Sequence, residues 1–140
     1  MLKLKSLPDD HWVLQLKPDV LSSGDAAALS LAQPNGLFSL SMTVDEVSLV
    51  LGQKIRAHMS SKLSPHIIAE EGPFHALYID GVLNFSLTGI LARLSGALAA
   101  ENISLFAVST YNTDYILVPK EECGRAVAIL SDLEGFEYSS

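Results

Sequence analysis

The chain has 140 residues, of which 49% are hydrophobic and 18% charged, and its formal net charge is -7 with a pI near 4.9. This composition is too apolar for a disordered chain, and the length fits one compact domain or two small units. Because nucleic-acid binding needs clustered Lys and Arg to contact phosphates, the acidic balance and the lack of a basic patch in the sequence count against a nucleic-acid partner.

The amino-terminal residues 1–12 include two lysines but no apolar stretch long enough for a signal peptide. No later run approaches the roughly 20 apolar residues that a membrane-spanning helix needs. The single cysteine, Cys123, permits no intrachain disulfide and gives no sign of an oxidising compartment. We therefore expect a cytoplasmic protein with no membrane partner.

The carboxy-terminal half has the clearer pattern of secondary structure. Residues 74–82 alternate as a strand, and residues 90–102 place apolar side chains at helical spacing. Residues 103–110 and 115–119 are rich in β-branched and aromatic residues around a polar turn, which predicts a hairpin. A second helix is predicted after residue 119, and a closing strand is predicted within residues 134–139. Together these elements give a βαββαβ order, which is typical of ferredoxin-like α+β folds with an antiparallel sheet and helices on one face.

The amino-terminal half repeats this order in a weaker form. Residues 11–17 read as a strand, and the Ala-rich residues 22–33 as a short helix. Two further strands are predicted over residues 37–43 and 47–51. Residues 53–67 contain Ser, Lys and Pro, and we expect a linker with about one helical turn there.

The boundary between the two halves is placed in this linker. We expect a degenerate first unit over residues 1–65 and a second, better defined unit over residues 66–140. The fold class is therefore α+β, with two ferredoxin-like units in tandem.

Two polar loops, residues 84–89 and 109–114, are expected at the same edge of the second sheet. Backbone N–H groups at the start of a helix form an anion site, so the segment around Gly89 can hold a carboxylate. Asp114 can pair with an ammonium or guanidinium group. This combination suits a zwitterion.

A purely structural role for the same residues stays open at this point. Ser86 or Thr88 can cap the helix through a side-chain oxygen, and Asn102 can end that helix in a left-handed conformation. Asp114 can simply close a hairpin turn.

The sequence contains none of the common catalytic or cofactor-binding patterns. There is no G-x-S-x-G, no G-x-x-x-x-G-K-[ST], no G-x-G-x-x-G and no cysteine set for zinc. The only local cluster of potential metal ligands is Asp9, Asp10 and His11, which is ordinary turn chemistry before a strand, and the four histidines are expected at the surface. We predict a protein without catalytic residues, bound metal or cofactor.

Several segments together resemble a known family. They are F-S-L-T-G-I-L (85–91), A-E-N-I-S (100–104) and S-T-Y-N-T-D-Y-I-L-V (109–118) in the second half, with W-V-L-Q-L and F-S-L-S-M-T-V-D-E-V-S-L-V in the first. The second half resembles an ACT domain, and the whole chain is similar to small bacterial proteins with two ACT units in tandem, which are related to aspartate kinase regulatory units and tandem-ACT arginine sensors.

This resemblance implies a non-catalytic regulatory module that binds an amino acid between ACT units, in a homodimer. The alternative is a structural or protein-interaction domain whose ligand site has decayed. The ligand-contacting positions that the resemblance implies are Ser86, Thr88, Gly89 and Ile90 at the helix start, Ser109, Thr110, Thr113 and Asp114 in the hairpin, and their counterparts Thr43, Asp45 and Glu46 in the first half.

Overall fold

The computed structural model describes residues 1–25, 27, 36–84 and 87–140. The chain divides into two compact units: an N unit, Asp9–Pro73, and a C unit made of Met1–Pro8 and Phe74–Ser140. The boundary expected from the sequence, between residues 65 and 66, stays a prediction, because a unit defined by contacts need not coincide with a sequence repeat. Within the described residues, no helix is long and apolar enough to cross a membrane.

The described elements follow one another in a strand-rich order. In chain order they are β1 (Leu2–Ser6), β2 (His11–Leu16), β3 (Ser39–Met42), β4 (Val47–Gly52), α1 (Gln53–Leu63), β5 (Ile67–Ile79), α2 (Ile90–Ala100), β6 (Phe106–Ser109), β7 (Asp114–Pro119), α3 (Cys123–Ser131) and β8 (Phe136–Tyr138). The helix predicted over residues 22–33 falls largely outside the described residues.

The N unit is built on the strand order β3-β4-β2-β5, to which β5 contributes its first part. Strand β4 pairs antiparallel with both β2 and β3. Alternate residues of β2 and β4 point into the core, where Leu14 and Leu49 are fully buried with Met59 and Leu63 of α1. This burial holds α1 on one face of the sheet.

The expectation of a linker over residues 53–67 is wrong, because Gln53–Leu63 forms an 11-residue helix. Only Met59 and Leu63, four residues apart, are buried, so the apolar face is too narrow to recognise in the sequence. The start of the helix is also capped by a residue that is distant in the sequence, since the Lys54 N–H donates to Asp9 Oδ2 at 3.0 Å. Asp9 therefore serves as a helix cap.

The C unit has the strand order β6-β7-β5-β1-β8 and carries two helices. Helices α2 and α3 contribute Leu94, Leu98, Ala126 and Leu130 to one core, which they share with the inward side chains of the sheet. The predicted α+β class and the ferredoxin-like βαββαβ order are confirmed. Asn102, with φ 59°, follows α2 in the predicted left-handed conformation.

One strand of the C unit has no counterpart in the sequence-based prediction. Strand β1 lies between β5 and β8, antiparallel to β5 and parallel to β8. Leu4 of β1 is buried in the core, and the Ser6 hydroxyl is within 2.8 Å of both His75 Nε2 and Tyr138 Oη. The sheet therefore includes one parallel pair, and the first eight residues complete the C unit.

The expectation that all histidines lie at the surface is wrong for His11, which is 0% exposed. Its Nδ1 lies 2.9 Å from the Asp9 carbonyl oxygen, and its Nε2 accepts the Leu37 N–H at 3.1 Å. Nδ1 therefore carries the proton of a neutral ring, with both nitrogens satisfied inside the fold. Burial lowers the pKa of His11, against a smaller opposing effect of Asp9.

We predict that His11 makes the N unit less stable in mild acid. The pKa of His11 is lower in the folded chain than its unfolded value of about 6.5, so the unfolded chain binds more protons and stability is lost as the pH falls below about 6.5. The loss is at most about 1.4 kcal/mol per pH unit for one group. Urea unfolding at pH 7.5 and 5.5 measures it.

The variants His11→Gln and His58→Gln separate this effect from other titrations. His58 is exposed, so H58Q should keep the full pH dependence of the wild type. H11Q should show a smaller loss of stability between the two pH values. An H11Q protein with the wild-type pH dependence would contradict the assignment.

Candidate functional site

The C unit contains a cavity of about 320 Å³ between the start of α2 and the loop that joins β6 to β7. Ligand sites in proteins typically begin near this size. One wall is mainly apolar and the other mainly polar. The apolar wall is formed by Leu83, Leu87, Ile90 and Leu91, and the other residues that line the cavity are Asn84, Gly89, Ser109, Thr110, Tyr111, Asn112, Thr113 and Asp114.

The helix start supplies hydrogen-bond donors to this cavity. Gly89 is the N-cap of α2 with φ 78°, a left-handed conformation that glycine adopts without strain. The first helical hydrogen bond runs from Arg93 N–H to Gly89 O at 3.0 Å, so the preceding N–H groups of the first turn have no partner within the helix. They carry the positive end of the helix dipole.

The interpretation of Thr88 as the cap of this helix is wrong, because Gly89 occupies the N-cap position and no described side chain caps it. Thr88 is exposed and lies outside the cavity lining. Ser86, the other predicted cap, is outside the described residues. The donors at the helix start therefore come from the backbone.

Asp114, the first residue of β7, lines the same cavity. The Ser109 hydroxyl donates to Asp114 Oδ1 at 2.6 Å, which orients the carboxylate. The Thr110 N–H donates to the Thr113 carbonyl at 2.9 Å and closes the turn. The loop is also joined to the segment before α2, because the Leu83 N–H donates to the Asn112 carbonyl at 2.7 Å.

Thr113 is buried, and its hydroxyl is used within the fold. Thr113 Oγ1 donates to the Ile79 carbonyl oxygen at 2.6 Å. The Thr113 N–H in turn is within 3.4 Å of Thr110 Oγ1. Although Thr113 lines the cavity, its side chain mainly attaches the hairpin loop to the end of β5.

The structure thus brings together six of the positions implied by the sequence in one cavity: Gly89, Ile90, Ser109, Thr110, Thr113 and Asp114. The sequence-based set missed Leu83, Leu87 and Leu91 of the apolar wall and three polar-loop residues, Asn84, Tyr111 and Asn112. The sequence could have indicated the missed residues, because most of them lie within the two polar loops or beside them.

The three positions named in the first half lie in the N unit, in the turn that joins β3 to β4. Thr43 Oγ1 accepts the N–H groups of Asp45 and Glu46, each at 3.2 Å, and the Thr43 N–H donates to the Glu46 carbonyl at 2.9 Å. These bonds account for the turn itself.

Comparison with known proteins identifies the fold of this site. Residues 70–132 match the family model described as ACT domain, and the range includes both loops of the cavity. This part of the chain is therefore similar to ACT domains over the residues that form the cavity.

Among curated proteins, the chain is similar to the cytosolic arginine sensor for mTORC1 subunit 1. It is 30% identical to the Mus musculus protein over 115 residues, covering 81% of this chain and 33% of that protein. It is 29% identical to the Homo sapiens protein over 113 residues, covering 78% and 34%. The chain spans about a third of the length of these relatives.

Solved structures extend the similarity of fold over nearly the whole chain. A protein from Agrobacterium tumefaciens superposes with a TM-score of 0.76 at 22% identity, covering 99% of this chain and 92% of that one. The ligand-free regulatory subunit of aspartate kinase from Thermus thermophilus superposes with a TM-score of 0.66 at 13% identity, covering 95% and 96%. At these identities the likeness concerns the fold.

Replacing Thr113 by Val should destabilise the fold whether or not any ligand is present. The substitution keeps the shape but leaves the buried Ile79 carbonyl without its donor, which costs about 1–3 kcal/mol. Urea unfolding of the free protein measures the loss. The exposed Thr88→Val is the control and should stay within about 0.5 kcal/mol of the wild type; equal effects of the two substitutions would contradict the structural role of Thr113.

Proposed function

We propose that the C unit binds a free amino acid in the 320 Å³ cavity and that its occupancy serves a regulatory, not a catalytic, purpose. One observation carries this proposal: the uncapped start of α2 at Gly89 and the carboxylate of Asp114 line the same cavity. The backbone N–H groups would receive the α-carboxylate of the ligand. Asp114 would receive a cationic group.

This arrangement favours zwitterions over singly charged molecules. An amine alone would leave the helix donors unused, and a carboxylate alone would face Asp114 without a compensating charge. The apolar wall with Leu83, Leu87 and Ile90 provides a surface for the aliphatic part of a ligand side chain. Free amino acids combine these three features.

Arginine is the first candidate among the amino acids. The curated relatives are named as arginine sensors. A guanidinium group has a planar set of N–H donors that matches a carboxylate, and Asp114 is held in place by Ser109 for such a contact. Ser109, Thr110 and Ile90 complete the proposed contacts, and Ser86 belongs to the set that the family resemblance implies.

A thermal-shift screen against the common amino acids tests this proposal. A ligand at 100 times its dissociation constant should stabilise the protein by about 2.7 kcal/mol and raise its melting temperature. Asp114→Asn should remove most of the shift caused by arginine, while the exposed Asp132→Asn in the same unit should keep it. The melting temperature of free D114N should stay close to that of the wild type, since Asp114 is only half-buried.

Two results would contradict the proposal. If none of the amino acids raises the melting temperature, the C unit is better explained as a structural or protein-interaction domain with a decayed site. If D114N and D132N respond alike, the ligand binds away from Asp114.

The proposal includes a homodimer in the cytoplasm, in which an ACT unit of a second copy adds to the ligand site. Light scattering coupled to gel filtration should then give twice the 15.0 kDa mass of one chain. A mass of one chain, with and without arginine, would contradict the dimer.

A further inference from the structure

The N unit contains a second cavity, of about 550 Å³, which the proposed function does not use. It lies between α1, β2 and the first part of β5, and its size is within the usual range for small-molecule sites. Two charged side chains, Arg56 and Glu70, line it together with the hydroxyl-bearing Ser60. The apolar side chains that line it with accessible surface are Ile67, Ile68 and Ala69.

Arg56 is held in position by contact with an aromatic ring. Its guanidinium carbon lies 4.0 Å over the ring of Trp12, a cation–π contact. Trp12 is fixed in turn, because its Nε1–H donates to Gln53 Oε1 at 2.5 Å. A guanidinium that is already ordered loses little conformational entropy when it binds a ligand.

The hydrogen-bonding capacity of Arg56 is only partly used. Nη2 donates to Glu70 Oε2 at 2.7 Å, whereas the buried Nε–H has no acceptor among the described residues. Nε and Nη2 form one edge of the guanidinium, and a carboxylate can accept from both at once. A buried N–H without an acceptor is unfavourable, so an acceptor that reaches Nε should be strongly preferred.

Glu70 is a weak competitor for this edge. The Arg56 and Glu70 side chains are 26% and 40% exposed, and one hydrogen bond joins them. Exposed ion pairs of this kind contribute little, because solvent screens them and both side chains lose freedom. Glu70 can therefore leave Arg56 when a better carboxylate arrives.

We propose that the N unit binds a small monocarboxylic acid with an aliphatic chain. Its carboxylate displaces Glu70 and accepts hydrogen bonds from both Nε and Nη2 of Arg56, while its chain packs on Ile67 and Ile68. Because Arg56 has the unused donor, the site selects a carboxylate and rejects an amine of the same length.

The experiment uses Trp12 as its reporter. It is the single tryptophan of the chain and contacts Arg56 directly, so its fluorescence responds to a change at Arg56. Hexanoate should change the fluorescence with saturation, and hexylamine and hexanol should not. Glu70→Gln should bind hexanoate up to about fivefold more tightly, because the competing carboxylate is gone.

Three further variants make the test specific. Arg56→Gln should lose the saturable response, and Arg56→Lys should weaken it at least tenfold, since lysine keeps the charge but lacks the planar pair of donors. Arg125→Gln, which removes an exposed arginine of the C unit, should respond like the wild type. Asp114→Asn should also respond like the wild type, which separates this site from the amino-acid site.

A response of the E70Q protein with none in the wild type would contradict the proposal, because Glu70 would then hold Arg56 against a carboxylate ligand. The proposal is overturned if neither protein responds, if hexylamine or hexanol responds as hexanoate does, or if R56K binds as tightly as the wild type. Circular dichroism of each variant identifies loss of folding, and the E70Q and R56K results decide the matter if R56Q does not fold.

Discussion

The cavity of the C unit depends on the attachment of one hairpin loop to two other segments of the chain. The Leu83 N–H donates to the Asn112 carbonyl, and the Thr113 hydroxyl donates to the Ile79 carbonyl. Both bonds join the loop between β6 and β7 to the stretch that runs from β5 towards α2. Because they hold the two walls at a constant separation, the helix start at Gly89 and the carboxylate of Asp114 can act on one ligand.

The cavities of the two units offer different chemistry. The cavity of the C unit has backbone donors at an uncapped helix start and a carboxylate oriented by a serine. The cavity of the N unit has the side chain of Arg56, ordered on Trp12 and only partly paired. The fold therefore explains where cavities form, and individual residues explain what each can bind.

Local patterns were enough to predict much of the C unit. The helical spacing of Leu94 and Leu98, and of Ala126 and Leu130, matches the faces of α2 and α3 that are buried. Asn102 has the left-handed conformation that the sequence indicated. The polar residues of the candidate site could be predicted for the same reason, since they lie in two short loops beside elements with a clear apolar periodicity.

The sequence by itself thus determined the α+β class, the βαββαβ order and the two loops that line the cavity, because apolar periodicity and turn residues act over a few positions. The tertiary structure decided the rest: Asp9 caps α1, β1 enters the sheet beside β8, and His11 is buried with both nitrogens bonded. In most of these features the partners lie far apart in the chain and leave no local pattern. Buried polar groups must find such partners somewhere, and only the folded chain shows where.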